Sequence, residues 1–129
     1  MSETEKITIN LGPVDLGRID LLVEQGVYTN RTDMIRTAIR NQLDRHDPVI
    51  QDAVVKRSYS LGVIGLARKD LEEYKARGEK AALRIVGMLL IENDVTPELA
   101  VETIDSILVR GVFRAPPAVR TALADRLNV

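Results

Sequence analysis

The sequence contains no cysteine and no tryptophan, and aromatic residues make up only 3% of its 129 residues. Without cysteine the chain cannot form disulfides, thiolate metal sites or a cysteine nucleophile, and it suits a reducing compartment. A core must therefore be built from Leu, Ile, Val and Ala, which is feasible because apolar residues reach 45%. This composition predicts one ordinary globular domain or two very small ones.

Histidine is nearly absent too, because His46 is the single one. One histidine and no cysteine cannot supply the usual ligands of a transition metal within one chain. The same scarcity leaves the serines without the base of a hydrolytic triad, and no glycine falls in a phosphate-loop pattern. We therefore expect no cofactor, no metal site and no enzyme. His46 itself is expected near a helix C-terminus, where the helix dipole favours it.

Long apolar runs are missing, since the longest one covers residues 85–91. A membrane-spanning helix needs roughly 18 or more such residues. The first five residues are polar and acidic, unlike a signal peptide. These features predict a cytoplasmic protein with no membrane partner.

The start of the chain shows a clear alternation in KITINL, residues 6–11. As a strand, it would place Ile7, Ile9 and Leu11 on one side and Lys6, Thr8 and Asn10 on the other. The Gly12-Pro13 pair ends this strand, and helical patterns follow it. The strand therefore has no neighbour of its own kind nearby, and unpaired backbone groups on an apolar strand are costly. The simplest solution is the same strand from a second copy, which makes a two-stranded antiparallel ribbon.

Two amphipathic helices are predicted after the strand. The first begins at Pro13 or Val14 and ends at Gly26, which suits a left-handed cap. The second begins after Thr29 or Asn30 as N-cap, with Asp33 completing an approximate capping box, and should stop near Asp47 because Pro48 disfavours a preceding helix. Its first turn offers free N–H groups to an anion.

This order of elements resembles the ribbon-helix-helix superfamily, which includes the Arc, MetJ and CopG-like repressors. The resemblance is carried by KITINL, the Gly12-Pro13 break, GRIDLLVEQG and YTNRTDMIRTAIR, and it covers the first third of the chain. It implies an obligate homodimer whose ribbon enters the major groove of double-stranded DNA. By the same resemblance Lys6, Thr8 and Asn10 contact bases, and Thr29, Asn30, Arg31 and Thr32 contact phosphates.

The chemistry of the three strand residues agrees with base contact, because Asn can grip adenine, Lys can reach guanine, and Thr can serve either. An ordinary solvated strand face would, however, carry the same residue types. For Arg36 and Arg40 a solvated helix face explains the sequence equally well. Charge argues against DNA binding: residues 1–47 hold six Lys and Arg against eight Asp and Glu, whereas DNA-binding domains usually have a basic excess.

The second part of the chain has a different pattern. Residues 49–57 fit either a helix extension or a linker, and apolar stretches at 60–66, 83–91 and 104–113 look like strands. Helical stretches at 68–77, 97–102 and 116–127 alternate with them, which predicts β-α crossovers and a small parallel or mixed sheet. A faint internal β-α repeat is visible, although any such alternation produces it. Glycines within the strands are expected to mark bends or close packing.

The predicted fold class is thus α/β overall. Residues 1–47 form a ribbon-helix-helix DNA-binding and dimerisation domain (β-α-α, an intertwined dimer), 48–57 a linker or helix extension, and 58–129 a small α/β domain for oligomerisation or effector binding. The predicted function is a sequence-specific transcriptional regulator, most simply a repressor, with higher homo-oligomers formed through the second domain. The alternatives are an antitoxin-type toxin-binding module, or an accessory DNA-binding protein of plasmid partition or conjugation.

Overall fold

The computed structural model describes residues 4–129 and divides into two compact units, one ending at Asp52 and the other running from Ala53 to Val129. The helices are α1 Pro13–Glu24, α2 Arg31–Arg45, α3 Asp47–Lys56, α4 Arg68–Ala76, α5 Pro97–Thr103 and α6 Pro117–Ala122. The strands are β1 Ser60–Leu66, β2 Ala81–Ile91, β3 Ile104–Arg114 and β4 Leu127–Asn128. The prediction of no signal peptide falls largely on residues 1–3, outside the described residues.

Helix α1 ends as the sequence predicts, at a glycine in the left-handed region. Gly26 has φ +80°, its N–H donates to the carbonyl of Val23, and the N–H of Val27 donates to that of Leu22 at 3.0 Å. This pair of bonds satisfies the last carbonyls of the helix, which otherwise lack partners. The turn to α2 is therefore encoded locally.

Helices α2 and α3 follow one another with a single residue between them. The carbonyl of His46 accepts bonds from the N–H groups of Val49 and Ile50, so the chain restarts a helix at once. Pro48 is tolerated because it lies in the first turn of α3, where its missing N–H is not needed. The sequence left the choice between helix and linker open for residues 48–57, and of these 48–56 are helical. The boundary between the two units falls inside α3.

The first unit buries little of its apolar surface. Among residues 4–52, Ile19 alone falls in the buried class, at 8% exposed. The large apolar side chains left exposed there are Ile7, Ile9, Leu11, Val14, Leu21, Val27, Ile39, Leu43 and Val49. Burying one such side chain is worth about 1.5–3 kcal/mol, so this unit gains stability from any second surface that covers it.

The second unit is built on an all-parallel sheet. Its strands lie in the order β1-β2-β3-β4, and each pairs in parallel with its sequence neighbour. A parallel neighbour needs a crossover connection, which α4, α5 and α6 provide in turn. The predicted alternation of strands and helices, and the mixed helix and strand character of the fold, are confirmed.

The three helices cover one face of this sheet. Buried side chains from them pack with alternate strand residues in one apolar cluster, whose fully buried members include Leu71, Leu89, Ile104, Val119 and Leu123. The buried Thr103 hydroxyl is satisfied, because it donates to the carbonyl of Leu99 at 2.7 Å. This unit therefore has a core of its own, in which the buried Thr103 is paired, whereas the buried Nε of Arg84 on β2 has no hydrogen-bond partner among the described residues.

A row of glycines crosses the sheet at one level. Gly62, Gly87 and Gly111 are paired in register, and all three have positive φ, at 143°, 133° and 127°. A Cβ built on Gly87 would meet the carbonyl oxygen of Gly62 at 2.1 Å, and one on Gly111 would meet that of Gly87 at 2.0 Å. The strands can adopt this conformation side by side only because each residue lacks a side chain. The predicted role of strand glycines in close packing is confirmed at these positions.

The end of the chain differs from the sequence prediction of one helix over residues 116–127. Helix α6 stops at Ala122, a 3₁₀ turn follows at Ala124–Arg126, and the chain returns to the sheet as β4. The guanidinium of Arg126 donates to the carbonyls of Val101 and Ile104 at 2.6 and 2.7 Å, which holds this turn in place. Tertiary contacts here override a local helical pattern.

Candidate nucleic-acid interface

The predicted ribbon segment, residues 6–11, lies outside every sheet of its own chain and forms no helix. Ile7 and Ile9 line a hollow of about 490 Å³ against Ile35 and Ile39 of α2. Leu11 lines a second hollow, of about 330 Å³, with Ile19 and other side chains of α1 and α2. These three apolar side chains therefore border the helices, although they remain 73%, 55% and 42% exposed. Pairing with a second copy stays a prediction.

The three proposed base-contacting residues are all exposed. Lys6, Thr8 and Asn10 lie between the apolar residues of the segment, and no burial restricts their side chains. Lys6 also lines the hollow beside α2 together with Glu5 and Arg36. Their accessibility is what base readout requires, and their roles stay predictions.

The proposed phosphate-contacting residues lie together at the start of α2, where the cap occupies part of their hydrogen-bonding capacity. Asn30 is the N-cap, because its side-chain oxygen accepts from the N–H of Asp33 at 2.8 Å. The Asp33 carboxylate accepts in turn from the N–H of Thr29 at 3.0 Å. The reciprocal arrangement resembles a capping box displaced by one residue. The side-chain oxygen of Asn30 and the backbone N–H of Thr29 therefore stabilise the helix start.

Arg31 is held by an acidic residue that the sequence did not single out. Its guanidinium donates from Nε and Nη2 to the two carboxylate oxygens of Asp20 on α1, at 2.7 and 2.8 Å. This side-chain hydrogen bond lowers the pKa of Asp20 and raises that of Arg31. The pair is bidentate, the strongest geometry for an arginine and a carboxylate. Arg31 thus joins α2 to α1, a role that neither helical pattern indicates.

Backbone groups remain for an anion at this helix start. The first helical hydrogen bond runs from the N–H of Met34 to the carbonyl of Asn30, so the N–H groups of Arg31 and Thr32 precede it. With the helix dipole, such groups favour a phosphate. The Asp33 carboxylate in the same turn opposes it.

The described residues contain no group of histidine, cysteine or acidic side chains arranged to hold a metal ion. His46 lies at the C-terminal end of α2, as expected, with its Nε2 atom 3.2 Å from the amide nitrogen of Gln42. Within residues 4–129 the helices are also too short or too polar to cross a membrane.

An exposed segment of alternating residues precedes two helices, and the start of the second helix is accessible. The sequence model of the Ribbon-Helix-Helix transcriptional regulator family matches residues 2–120. The chain belongs to this family.

One curated relative agrees with this assignment. The chain is similar to the transcriptional regulator CdrS of Halobacterium salinarum, with 31% identity over 42 residues, which are 33% of this chain and 76% of that protein. No solved structure matches the chain. The family match extends well beyond the first unit, into residues that form the parallel sheet.

Proposed function

We propose that the protein is a homodimeric repressor that reads a specific DNA sequence with a β-ribbon formed by residues 6–11 of two chains. The observation that carries this proposal is the exposed segment itself, in which Ile7 and Ile9 border α2 and Thr8 and Asn10 are accessible to another molecule. In an isolated chain its backbone groups have no ladder partner, and antiparallel pairing would provide one. The family assignment supports DNA as the target.

Dimerisation would also complete the core of the first unit. Ile7 and Ile9 are 73% and 55% exposed, and Ile39 of α2 beside them is 44% exposed. A second copy that covers these side chains would remove their apolar surface from water. Burial of apolar surface is the main favourable term in such association. The two hollows against α1 and α2 are the places where its side chains would insert.

The polar face of the ribbon would then determine which DNA sequence the protein binds. Asparagine can bond adenine at two atoms in the major groove, lysine can reach the guanine acceptors, and threonine can contact a thymine methyl. Doubling Lys6, Thr8 and Asn10 by a twofold axis predicts a palindromic half-site pair. Repression follows most simply if this site overlaps a promoter.

The geometry of the helix start divides the proposed phosphate contacts. The N–H groups of Arg31 and Thr32 would bind phosphate directly, with the Thr32 hydroxyl beside them. The Arg31 guanidinium, already paired with Asp20, would add only part of its charge. Arg31→Ala should therefore weaken binding on all sequences through the loss of both charge and α1–α2 contact, while Asp20→Asn should strengthen binding and steepen its salt dependence. Equal salt slopes for the wild type and both variants would exclude Arg31 from the phosphate contacts.

The experiment that tests the function is selection of bound sites from random duplexes. The wild type should enrich a short palindromic motif, whereas a variant with alanine at Lys6, Thr8 and Asn10 should enrich none. Circular dichroism should show that this variant is still folded. A triple variant that recovers the same motif would refute base readout by the ribbon. Placing the motif at a reporter promoter then separates repression from activation.

The antitoxin alternative gains no support from the second unit. An antitoxin tail of this kind folds on its target, whereas residues 60–128 here form a sheet with an apolar cluster of their own. An accessory function in plasmid partition or conjugation requires the same DNA binding. The genomic position of the selected motif therefore distinguishes this function from repression.

A further inference from the structure

The two edges of the parallel sheet end in different ways. At one edge lies β4, a strand of only two residues, which pairs with β3 at Ile107 and Leu108. Further along β3, the guanidinium of Arg120 donates to the carbonyl of Phe113 at 3.2 Å. A very short edge strand and a side chain bonded to the exposed backbone both hinder pairing with another molecule. This edge is therefore protected.

The opposite edge is β1, which is long and apolar. It has seven residues, Ser60–Leu66, and pairs with β2 along its whole length. Its sequence, SLGVIGL, contains no charged residue and no proline, which are common protective devices on edge strands. Leu61 and Val63 remain 57% and 68% exposed. The composition of β1 therefore does not discourage a further strand from adding to the sheet.

The backbone groups of β1 point alternately toward β2 and toward the free edge. The carbonyl of Leu66 points toward β2, because it accepts from the N–H of Glu92 at 2.9 Å. Alternation along the strand then turns the N–H and C=O groups of Leu61, Val63 and Gly65 away from β2. Outward backbone groups in a row form a template for hydrogen bonds to another strand.

The strand β1 is complementary to an antiparallel copy of itself. A twofold axis through Val63 places the two Val63 residues opposite each other, and Leu61 of one copy opposite Gly65 of the other. Each outward N–H and C=O of these residues then gains a partner. On the helix side, Gly62 of one copy lies opposite Ile64 of the other. Leu61 and Ile64 thus both face a glycine, whereas a register shifted by two residues leaves strand ends unpaired.

We propose that β1 pairs antiparallel with β1 of a second copy of this chain, centred on Val63, so that two four-stranded sheets become one continuous sheet. The contact is isologous, because the same strand contributes from both copies, and it closes on itself. It lies in the second unit and does not need the ribbon of residues 6–11. In the proposed regulator it would join one ribbon dimer to the next.

The first test uses the position of Val63 on the twofold axis. Val63→Lys would place two lysines opposite each other, and Val63→Glu two glutamates, and like charges directly opposite destabilise a strand pair. Both substitutions are made in the full-length chain with Ile9→Lys, which places a charge in the ribbon contact. In light scattering over a range of concentrations, Ile9→Lys alone should dimerise reversibly. Either Val63 substitution should raise the dissociation constant at least about tenfold, and an equal mixture of the two should recover the dimer.

A matched control lies at the protected edge of the sheet. Val129 follows β4 and is 58% exposed, so Val129→Lys makes the same change away from β1 and should leave the dissociation constant unchanged. The proposal is overturned if Ile9→Lys alone is monomeric, or if the mixture associates no better than its separate components. DNA binding reports separately on the ribbon: Ile9→Lys should abolish it under the proposed function, whereas Val63→Lys without Ile9→Lys should keep it.

The second test measures the register. The chain has no cysteine, so Val63→Cys introduces a unique thiol. Directly opposite residues in a hydrogen-bonded antiparallel pair have Cα atoms about 5.5 Å apart, within the range that a disulfide spans. Mild oxidation should therefore join two Val63→Cys chains. It should not join two Leu61→Cys chains, whose thiols would lie about 14 Å apart along the strands. Equal yields at the two positions, or no Val63→Cys product, would refute this pairing.

Discussion

The two units of this protein solve the problem of burying apolar side chains in opposite ways. The second unit closes a core of its own, with Leu71, Leu89 and Ile104 among the fully buried side chains. The first unit leaves Ile7 and Ile9 exposed on a segment without strand partners. In the proposed dimer, the second copy would cover these exposed side chains and complete the first unit. The proposed regulator thus combines one unit that buries its own core with another that needs a second chain to bury its apolar side chains.

The largest loss of stability is expected from Gly87→Ala, a substitution in the second unit, which has a core of its own. The new Cβ would lie 2.1 Å from the carbonyl oxygen of Gly62 on a residue with φ +133°. Strain and overpacking together should cost about 3–5 kcal/mol in the unfolding of the second unit. Urea unfolding followed by circular dichroism measures this loss.

Gly65→Ala is the control for that experiment. Gly65 lies in the same sheet, and its added Cβ would meet nothing closer than 3.8 Å. This variant should stay within about 1 kcal/mol of the wild type. Equal losses at both positions would show that the glycine row has no special role.

The second-largest effect concerns DNA binding by the first unit. Asn10→Ala should cost about 1–3 kcal/mol on the selected site and little on random DNA, because a bidentate contact to a base is lost. Fluorescence anisotropy with both duplexes measures the difference. Asn41→Ala, an exposed asparagine on α2, should change neither affinity. A uniform loss on both duplexes for Asn10→Ala would contradict direct readout.

The third effect tests how the first unit forms its second helix. Asn30→Ala removes the side chain that accepts from the N–H of Asp33, and should destabilise this unit by about 1 kcal/mol. Thr29→Ala should have little effect, because Thr29 contributes its backbone N–H rather than its side chain. Thermal unfolding of both variants checks the prediction. A larger loss for Thr29→Ala would identify Thr29 as the effective cap.

The smallest effect is a pH dependence from the Asp20–Arg31 pair. The pKa of Asp20 is lowered from its ordinary value of 3.8, so the pair stabilises the first unit above that pH. The contribution is lost as pH falls below 3.8 through the lowered pKa, when the carboxylate takes up a proton. Asp20→Asn should thus be less stable than the wild type at pH 7, with a gap that narrows below pH 4. If the difference in stability between the two proteins does not change with pH, the loss comes from packing rather than from charge.

Much of the secondary structure could be predicted because its signals are local. Gly26 and Asn30 set the end of α1 and the start of α2 through bonds to residues within four positions. The strand at 60–66 has the predicted bounds, and β2 and β3 differ from their predicted bounds by two residues or fewer. The exposure of Asn10 also agrees with the alternation, although its contact with DNA stays a prediction. Caps and periodicity depend on nearest neighbours, which a sequence displays directly.

The remaining features depend on residues distant in the chain. The sequence assigned Arg31 to a phosphate contact and indicated no partner within the chain, whereas its partner Asp20 lies eleven positions earlier on another helix. The bonds of Arg126 that turn the chain back into β4 reach carbonyls 22 and 25 positions away. The row of Gly62, Gly87 and Gly111 exists only once three strands are in register.

The sequence by itself therefore determined where most helices and strands begin and which side chains alternate in the first segment. Only the tertiary structure decided which charges neutralise each other and which strand residues pack against the helices. The physical reason is that capping and periodicity act over a few residues, whereas pairing and burial act between elements that the fold brings together.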